Sequence, residues 1–209
     1  MDHEITPEMF EQPSWDERYG GADRVWSGRP NAVLVTEASG LPPRRALDLG
    51  CGEGGDAIWL AERGWQVTAV DFSEAGLERA AAHAAERGVA DRVEWRHADL
   101  RTWAPEGEEW DLVTSHFLHL LGDGMAGATR QMAAAVAQGG TLLVVGHHPD
   151  DEHTGLRWSL PGVLFTADDL AAAVDPAAFD VRAEARPRTE SHHGDEHAVT
   201  DAVLVAVRR

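Results

Sequence analysis

Ala46-Leu47-Asp48-Leu49-Gly50-Cys51-Gly52-Glu53-Gly54-Gly55-Asp56 is the stretch that decides the fold of this chain. Ala46, Leu47 and Leu49 form a short apolar run of the kind that makes a buried strand. Asp48 puts a carboxylate near its end, the glycines make a turn, and Ala57, Leu60 and Ala61 then recur at helical spacing from about Gly55 to Arg63. Glycines turn the backbone tightly and let a ligand approach the main chain. Strand, glycine turn and helix together predict a nucleotide-type pocket.

Working outward, Gln66 to Val70 reads as a second strand. Ser73 caps a helix with Leu77, Ala80, Ala81 and Ala84 on one face, ended by Gly88. Val93 to Arg96 and Leu112 to Ser115 are the third and fourth strands. A helix from about Gly124 to Gln138 carries Met125, Ala128, Met132 and Val136 on one side, and Gly139-Gly140 breaks it. Thr141 to Val145 is apolar throughout, as a strand covered on both faces should be. A short helix begins at Thr166 and runs through Val174. Two last strands, about Asp180 to Arg186 and Asp201 to Val207, flank a loop containing residues 191–197. Alternating strands and helices predict a parallel sheet with helices on both faces. The last pair has no crossover helix between its strands, so it must be antiparallel. The prediction is a Rossmann-like, doubly wound α/β fold, mostly parallel, with an antiparallel C-terminal hairpin.

Two ligands compete for the glycine turn. Gly50, Gly52 and Gly55 satisfy G-x-G-x-x-G, and Asp71 lies where a dinucleotide's ribose acid is expected, which keeps a nicotinamide-dependent oxidoreductase open. A dinucleotide, however, places its pyrophosphate against the turn and the helix N-terminus. Asp48 would repel it. S-adenosylmethionine has no phosphate and carries an ammonium and a sulfonium, which suit Asp48. The plainer reading makes Asp48 a turn or capping residue.

Leu47-Asp48-Leu49-Gly50-Cys51-Gly52-Glu53-Gly54 resembles motif I of the class I S-adenosylmethionine-dependent methyltransferases. Val67-Thr68-Ala69-Val70-Asp71-Phe72-Ser73 resembles their second strand with its ribose acid. His97-Ala98-Asp99-Leu100 resembles their adenine-binding turn, and Trp110-Asp111-Leu112-Val113 opens their motif IV. The resemblance covers about residues 44–146 and implies a seven-stranded sheet. It also implies that Asp48, Gly50, Cys51 and Gly52 hold the methionine end of S-adenosylmethionine. Asp71 would accept from the ribose hydroxyls, Phe72 would lie against the adenine, and Asp99 with Leu100 would take the adenine amino group. Ser115, ending the fourth strand, joins these candidates. For Asp71 a helix cap, for Asp99 a turn and for Phe72 plain core packing are the competing readings.

Residues 1–43 form an extension closed by Pro42-Pro43, before a domain of residues 44–209. Trp15, Tyr19, Trp26 and Pro30-Asn31 resemble, more loosely, the thiopurine and tellurite-resistance group of the same enzymes, which lay an N-terminal helix and turn over the cofactor. That likeness implies a cap in which Tyr19 and Trp26 close the methyl-donor pocket and exclude water. The alternative is that the aromatics only pack the extension onto the domain.

The formal net charge is −18 and all 18 basic residues are arginine, so lysine chemistry is absent. Such a balance opposes nucleic acid and anionic membrane as partners, and points to a small-molecule acceptor. Cys51 is the only cysteine, the N-terminus is acidic, and no apolar run approaches a membrane span, so a cytoplasmic protein is expected. The sequence does not specify an oligomeric state.

Methyl transfer from a sulfonium is an in-line displacement in which positioning contributes most. A sulfur, selenium or tellurium nucleophile needs little more, whereas a hydroxyl acceptor needs a general base, often histidine. His116 and His119 follow the fourth strand, His147 and His148 the fifth, and His192, His193 and His197 fall in the loop after the sixth. His116, His119, His148 and His193 are the candidate catalytic groups. They could act as base, as an oxyanion site or as metal ligands, or belong to packing and solvated loops; the spacing matches no zinc pattern. An O- or N-methyltransferase of a metabolite, and a cofactor-binding protein without catalysis, stay open at this point.

Overall fold

The computed structural model describes residues 6–21, 24–154, 160, 162–192 and 195–209. Seven strands form one sheet: β1 (Arg45–Leu49), β2 (Gln66–Asp71), β3 (Val93–His97), β4 (Trp110–His116), β5 (Val136–His147), β6 (Phe179–His192) and β7 (Asp195–Arg208). Their order is β3-β2-β1-β4-β5-β7-β6. The first five run parallel, and β7 pairs antiparallel with both β5 and β6. The helices are α1 (Gln12–Gly21), α2 (Ala32–Ala38), α3 (Gly55–Glu62), α4 (Glu74–Glu86), α5 (Gly124–Ala134) and α6 (Ala167–Ala171). The order reverses beside β1, which is where an open α/β sheet offers a crevice at the carboxyl ends of its strands.

Each sheet face has its own apolar core. Leu47, Leu49, Val113, Leu142 and Leu204 meet α5 and α6 through Met125, Met132 and Leu170. Ala46, Val67, Leu112, Leu143 and Val203 meet α2, α3 and α4 through Leu34, Leu60 and Ala84. Residues on one strand alternate between these cores because successive side chains point to opposite faces. α2 is therefore part of the domain's own core: Leu34 is fully buried. Asn31 starts this helix by accepting from the Val33 and Leu34 N–H groups, an N-cap worth about 1 kcal/mol.

Two expectations are corrected. α5 stops at Ala134, and Val136 is not on its face; it pairs with Trp110 as the first residue of β5. Gly139-Gly140 lies inside β5, where the register jumps from Val136 opposite Trp110 to Thr141 opposite Leu112. With Gly139 at φ +74°, the glycines make a bulge rather than a helix stop. The terminal hairpin is also much longer than expected. Its strands pair from Phe179–Arg208 to His192–Asp195, so His197 lies in β7 opposite Glu190 and not in a loop. Arg182, Glu184 and Arg186 alternate with Val181, Ala183 and Ala185, and the arginines reach Glu37 and Glu184. Charge on an edge strand hinders pairing with another chain.

Candidate functional site

The site is built at the carboxyl end of β1. Gly50, Gly52 and Gly54 stand at φ +75°, +51° and +79°, which side chains other than glycine rarely tolerate. The Gly50 and Cys51 N–H groups both donate to the Val70 carbonyl, at 2.8 and 3.2 Å, tying the loop to β2. A Cβ on Gly54 would stand 2.7 Å from the Trp95 ring, so the loop's third glycine is fixed by helix–strand packing.

Asp48 is buried beside this loop, and its Oδ2 has no hydrogen-bond partner among the described residues. Burial pushes its carboxyl well above the ordinary carboxylate range, and the neighbouring charges of Asp56 and Asp71 add to the rise. Asp71 ends β2 and accepts from the Gly52 N–H at 2.8 Å and the Ser73 N–H at 2.9 Å. Burial raises its carboxyl too, opposed by those N–H groups. An orphaned, buried carboxylate oxygen with acidic neighbours suits a cation. It does not suit a pyrophosphate.

The other cofactor candidates have definite positions. Phe72 is half-buried, and its carbonyl meets His97 Nε2 at 2.8 Å. Asp99 binds the Arg101 guanidinium, which holds its carboxyl below the usual range, and Leu100 is buried. Ser115 is fully buried and donates to the Leu49 carbonyl at 2.7 Å, so its hydroxyl joins β4 to β1. Cys51 is half-buried, and burial pushes its thiol up.

The N-terminal segment is pinned around the loop. Tyr19 is 4% exposed, and its hydroxyl accepts from Trp26 Nε1 at 3.1 Å. A Cβ on Gly52 would lie 2.7 Å from that hydroxyl. Burial raises the Tyr19 phenol above its ordinary value. Trp15 packs on both Tyr19 and Trp26, with ring centroids 5.7 and 6.2 Å apart. Three carboxylates hold this assembly: Asp16 accepts from Ser73 Oγ, Asp56 from the Asn31 N–H, and Glu53 from the Val25 and Trp26 N–H groups.

Beyond β4 the chain turns at Phe117, a residue with φ +55°, uncommon outside glycine. Leu118 then falls against Gly50, 3.3 Å from where a Cβ would be. Phe117 stacks on His147 (4.5 Å), His147 on His119 (5.0 Å), and His119 leans on Phe165 (5.2 Å). The Arg188 guanidinium lies 5.7 Å over Phe117. These rings form a row beyond the carboxyl ends of β4 and β5, with Arg188 of β6 at one end.

The histidine candidates fall in different settings. His116 is buried, with Nδ1 2.9 Å from Asp56 Oδ2. His119 engages both ring nitrogens: Nδ1–H donates to the Val163 carbonyl at 2.8 Å, and Nε2 accepts from the His147 N–H at 3.4 Å. That fixes the neutral Nδ1–H tautomer. His148 Nδ1 accepts from the Asp150 N–H at 3.2 Å. His193 lies outside the described residues. Among the described residues no three His, Cys, Asp or Glu side chains gather to hold a metal. A groove of about 660 Å³ bordered by Leu41, Phe179 and Val181 lies at the strands' opposite ends, away from the glycine loop.

Sequence reasoning missed Glu53, Asp56, Asp16 and Leu118. An acid inside a glycine loop was the one available signal for Glu53; the partners of the others lie too far along the chain to be read from it.

Residues 46–140 match the family described as a methyltransferase domain. Trans-aconitate 2-methyltransferase of Streptomyces avermitilis is 33% identical over 152 residues, 69% of this chain and 56% of that protein. Thiocyanate methyltransferase 1 of Brassica oleracea is 34% identical over 112 residues, 52% of this chain and 49% of that protein. The chain thus spans about half the length of these curated relatives. The N-methyltransferase NodS of Bradyrhizobium japonicum, solved with S-adenosyl-L-homocysteine, shares the fold at a TM-score of 0.71 and 18% identity, over 94% of this chain and 97% of that one. With motif I, its orphaned carboxylate and the seven-stranded sheet in agreement, the chain belongs to the class I S-adenosylmethionine-dependent methyltransferases.

Proposed function

We propose that this chain transfers the methyl group of S-adenosylmethionine to a small soft nucleophile, with sulfur, selenium or tellurium as the attacked atom. The bound donor supplies an already activated methyl group on a sulfonium. The protein's share is then to hold the donor, orient the acceptor and keep water out. In this reading Asp48 takes the donor's positive end, Asp71 its ribose, Phe72 and Leu100 its adenine, and the segment before α2 caps it through Tyr19 and Trp26.

One observation carries the choice of acceptor: the two histidines at and just after the end of β4 have both ring nitrogens engaged. His116 meets Asp56 through Nδ1 and Thr114 Oγ1 through Nε2, and His119 meets the Val163 carbonyl and the His147 N–H. A thiolate or its heavier analogue reacts without a protein base, whereas a hydroxyl does not. The thiocyanate-methylating relative supports this reading. The trans-aconitate relative favours a second one, O-methylation of a carboxylate, which also needs no base because the acceptor is already ionised. The net charge of −18 supports a small molecule over nucleic acid, and the single cysteine suits the cytoplasm we propose for it.

The test is S-adenosylhomocysteine release against thiols, selenite, tellurite, phenols and trans-aconitate. Turnover of thiols, rising with pH as the acceptor's own thiolate fraction rises, is the expected result. Turnover confined to phenols or carboxylates would refute the soft-acceptor reading.

A further inference from the structure

We infer that Glu53 is a positioning residue that couples the N-terminal cap to the cofactor loop, so that filling the loop and seating the cap are one event. The inference rests on the reading that the cap faces the bound donor. Glu53 sits between Gly52 and Gly54, so its backbone belongs to the loop itself. Its side chain points the other way and is 4% exposed. Oε2 accepts from the Val25 N–H at 3.1 Å and the Trp26 N–H at 2.9 Å, and Oε1 accepts from Arg79 Nη1 at 3.1 Å. Burial alone would raise this carboxyl. The Trp26, Arg79 and Val25 donors outweigh it and hold the group ionised below its usual range.

The coupling follows from what Trp26 does next. Its indole N–H donates to the Tyr19 hydroxyl, which stands over Gly52. Glu53, Trp26, Tyr19 and Gly52 thus form a closed circuit in which one loop residue anchors the group that covers its neighbour. A ligand that moves Gly52 moves Tyr19, and a loosened Trp26 releases Tyr19. Asp16 and Asp56 pin the cap at two further points, to Ser73 and Asn31, so the circuit tunes its seat and does not alone decide whether it folds.

Trypsin provides the readout. The chain has no lysine, so every tryptic site is an arginine, and Arg18 and Arg24 are exposed on the cap. In the wild type, saturating S-adenosylhomocysteine should slow cleavage at Arg24 at least tenfold. Glu53→Ala should bind S-adenosylhomocysteine about tenfold or more weakly by calorimetry, and saturation should no longer protect Arg24. Glu53→Gln, which keeps one acceptor oxygen and the side chain's shape, should recover part of both, and it serves as the test if Glu53→Ala fails to fold. Equal protection and equal affinity in the variants and the wild type would overturn the coupling while leaving the donor site standing. A wild type that binds S-adenosylhomocysteine with Arg24 unprotected would overturn it as well. A wild type that binds neither S-adenosylhomocysteine nor S-adenosylmethionine would overturn the donor reading, and this inference with it.

Discussion

Asp48→Asn should make the ligand-free protein more stable and worse at its task. The carboxylate is 2% exposed, its Oδ2 is unpartnered, and the charges that act on it, Asp56 and Asp71, are both negative. Leaving a buried polar group unsatisfied costs about 1–3 kcal/mol, and more for a charge. An amide of the same shape removes the charge, so the gain should be about 1–3 kcal/mol. In a chain of this size each kcal/mol moves Tm by about 2–4 °C. Scanning fluorimetry should therefore show Tm raised by roughly 2–12 °C at neutral pH. The sign with pH follows from linkage. Asp48's folded pKa is raised, so above the unfolded value of about 3.9 the folded chain holds the extra proton. Stability then falls as pH rises from there through the folded value, and the variant should lose that slope. Binding moves oppositely. A hydrogen bond to a charged group contributes about 1.5–3 kcal/mol. At 1.4 kcal/mol per decade, Kd should rise roughly 10- to 150-fold in calorimetry. If the contact is to the ammonium, S-adenosylmethionine and S-adenosylhomocysteine lose alike; if to the sulfonium, only the former loses. A lower Tm with unchanged affinity for both would refute the reasoning.

Asp71→Ala leaves the Gly52 and Ser73 N–H groups without their acceptor, so it should cost about 2–5 kcal/mol of stability and weaken S-adenosylmethionine binding at least tenfold, both measurable on one preparation. Gly54→Ala and Gly88→Ala separate strain from crowding. Both glycines have positive φ, but a Cβ at Gly54 meets Trp95 at 2.7 Å and Ala80 at 3.0 Å, while Gly88 has nothing within 4 Å. Urea titration should show about 1–2 kcal/mol lost at Gly88 and clearly more at Gly54.

The parallel core was legible in the sequence because each of its units is local. Gly50, Gly52 and Gly54 announce a turn through a backbone demand that only glycine meets cheaply, and Ser73 and Thr166 announce helix starts through caps. Gly139-Gly140 misled because two glycines break a helix and bulge a strand equally well; Val136 settles it by pairing with Trp110, a partner 26 residues upstream. The hairpin arm hid because its residues are charged, and its period-two alternation reads as strand only with a partner such as Val203 opposite Glu184. The carboxylates around the loop were invisible for the same reason. Asp56 and Glu53 act through Asn31 and Trp26, donors more than 20 residues away whose N–H groups carry no sequence signature.

Those carboxylates also bear on the choice between donors. Glu53 is offset by Arg79, but Asp48 has Asp56 and Asp71 as negative neighbours and makes no ion pair among the described residues. The loop therefore gathers acids in a buried space, where a bound cation would favour their ionised form and Coulomb interactions are strong. A dinucleotide would add two more negative charges at this point. S-adenosylmethionine brings an ammonium and a sulfonium, and methyl transfer removes the second of these. On the proposed placement, the same acids would hold the product with one positive charge fewer, so S-adenosylmethionine should bind more tightly than S-adenosylhomocysteine, and added salt should narrow the difference little because the charges are buried. Equal affinities would show that the acids address the ammonium alone.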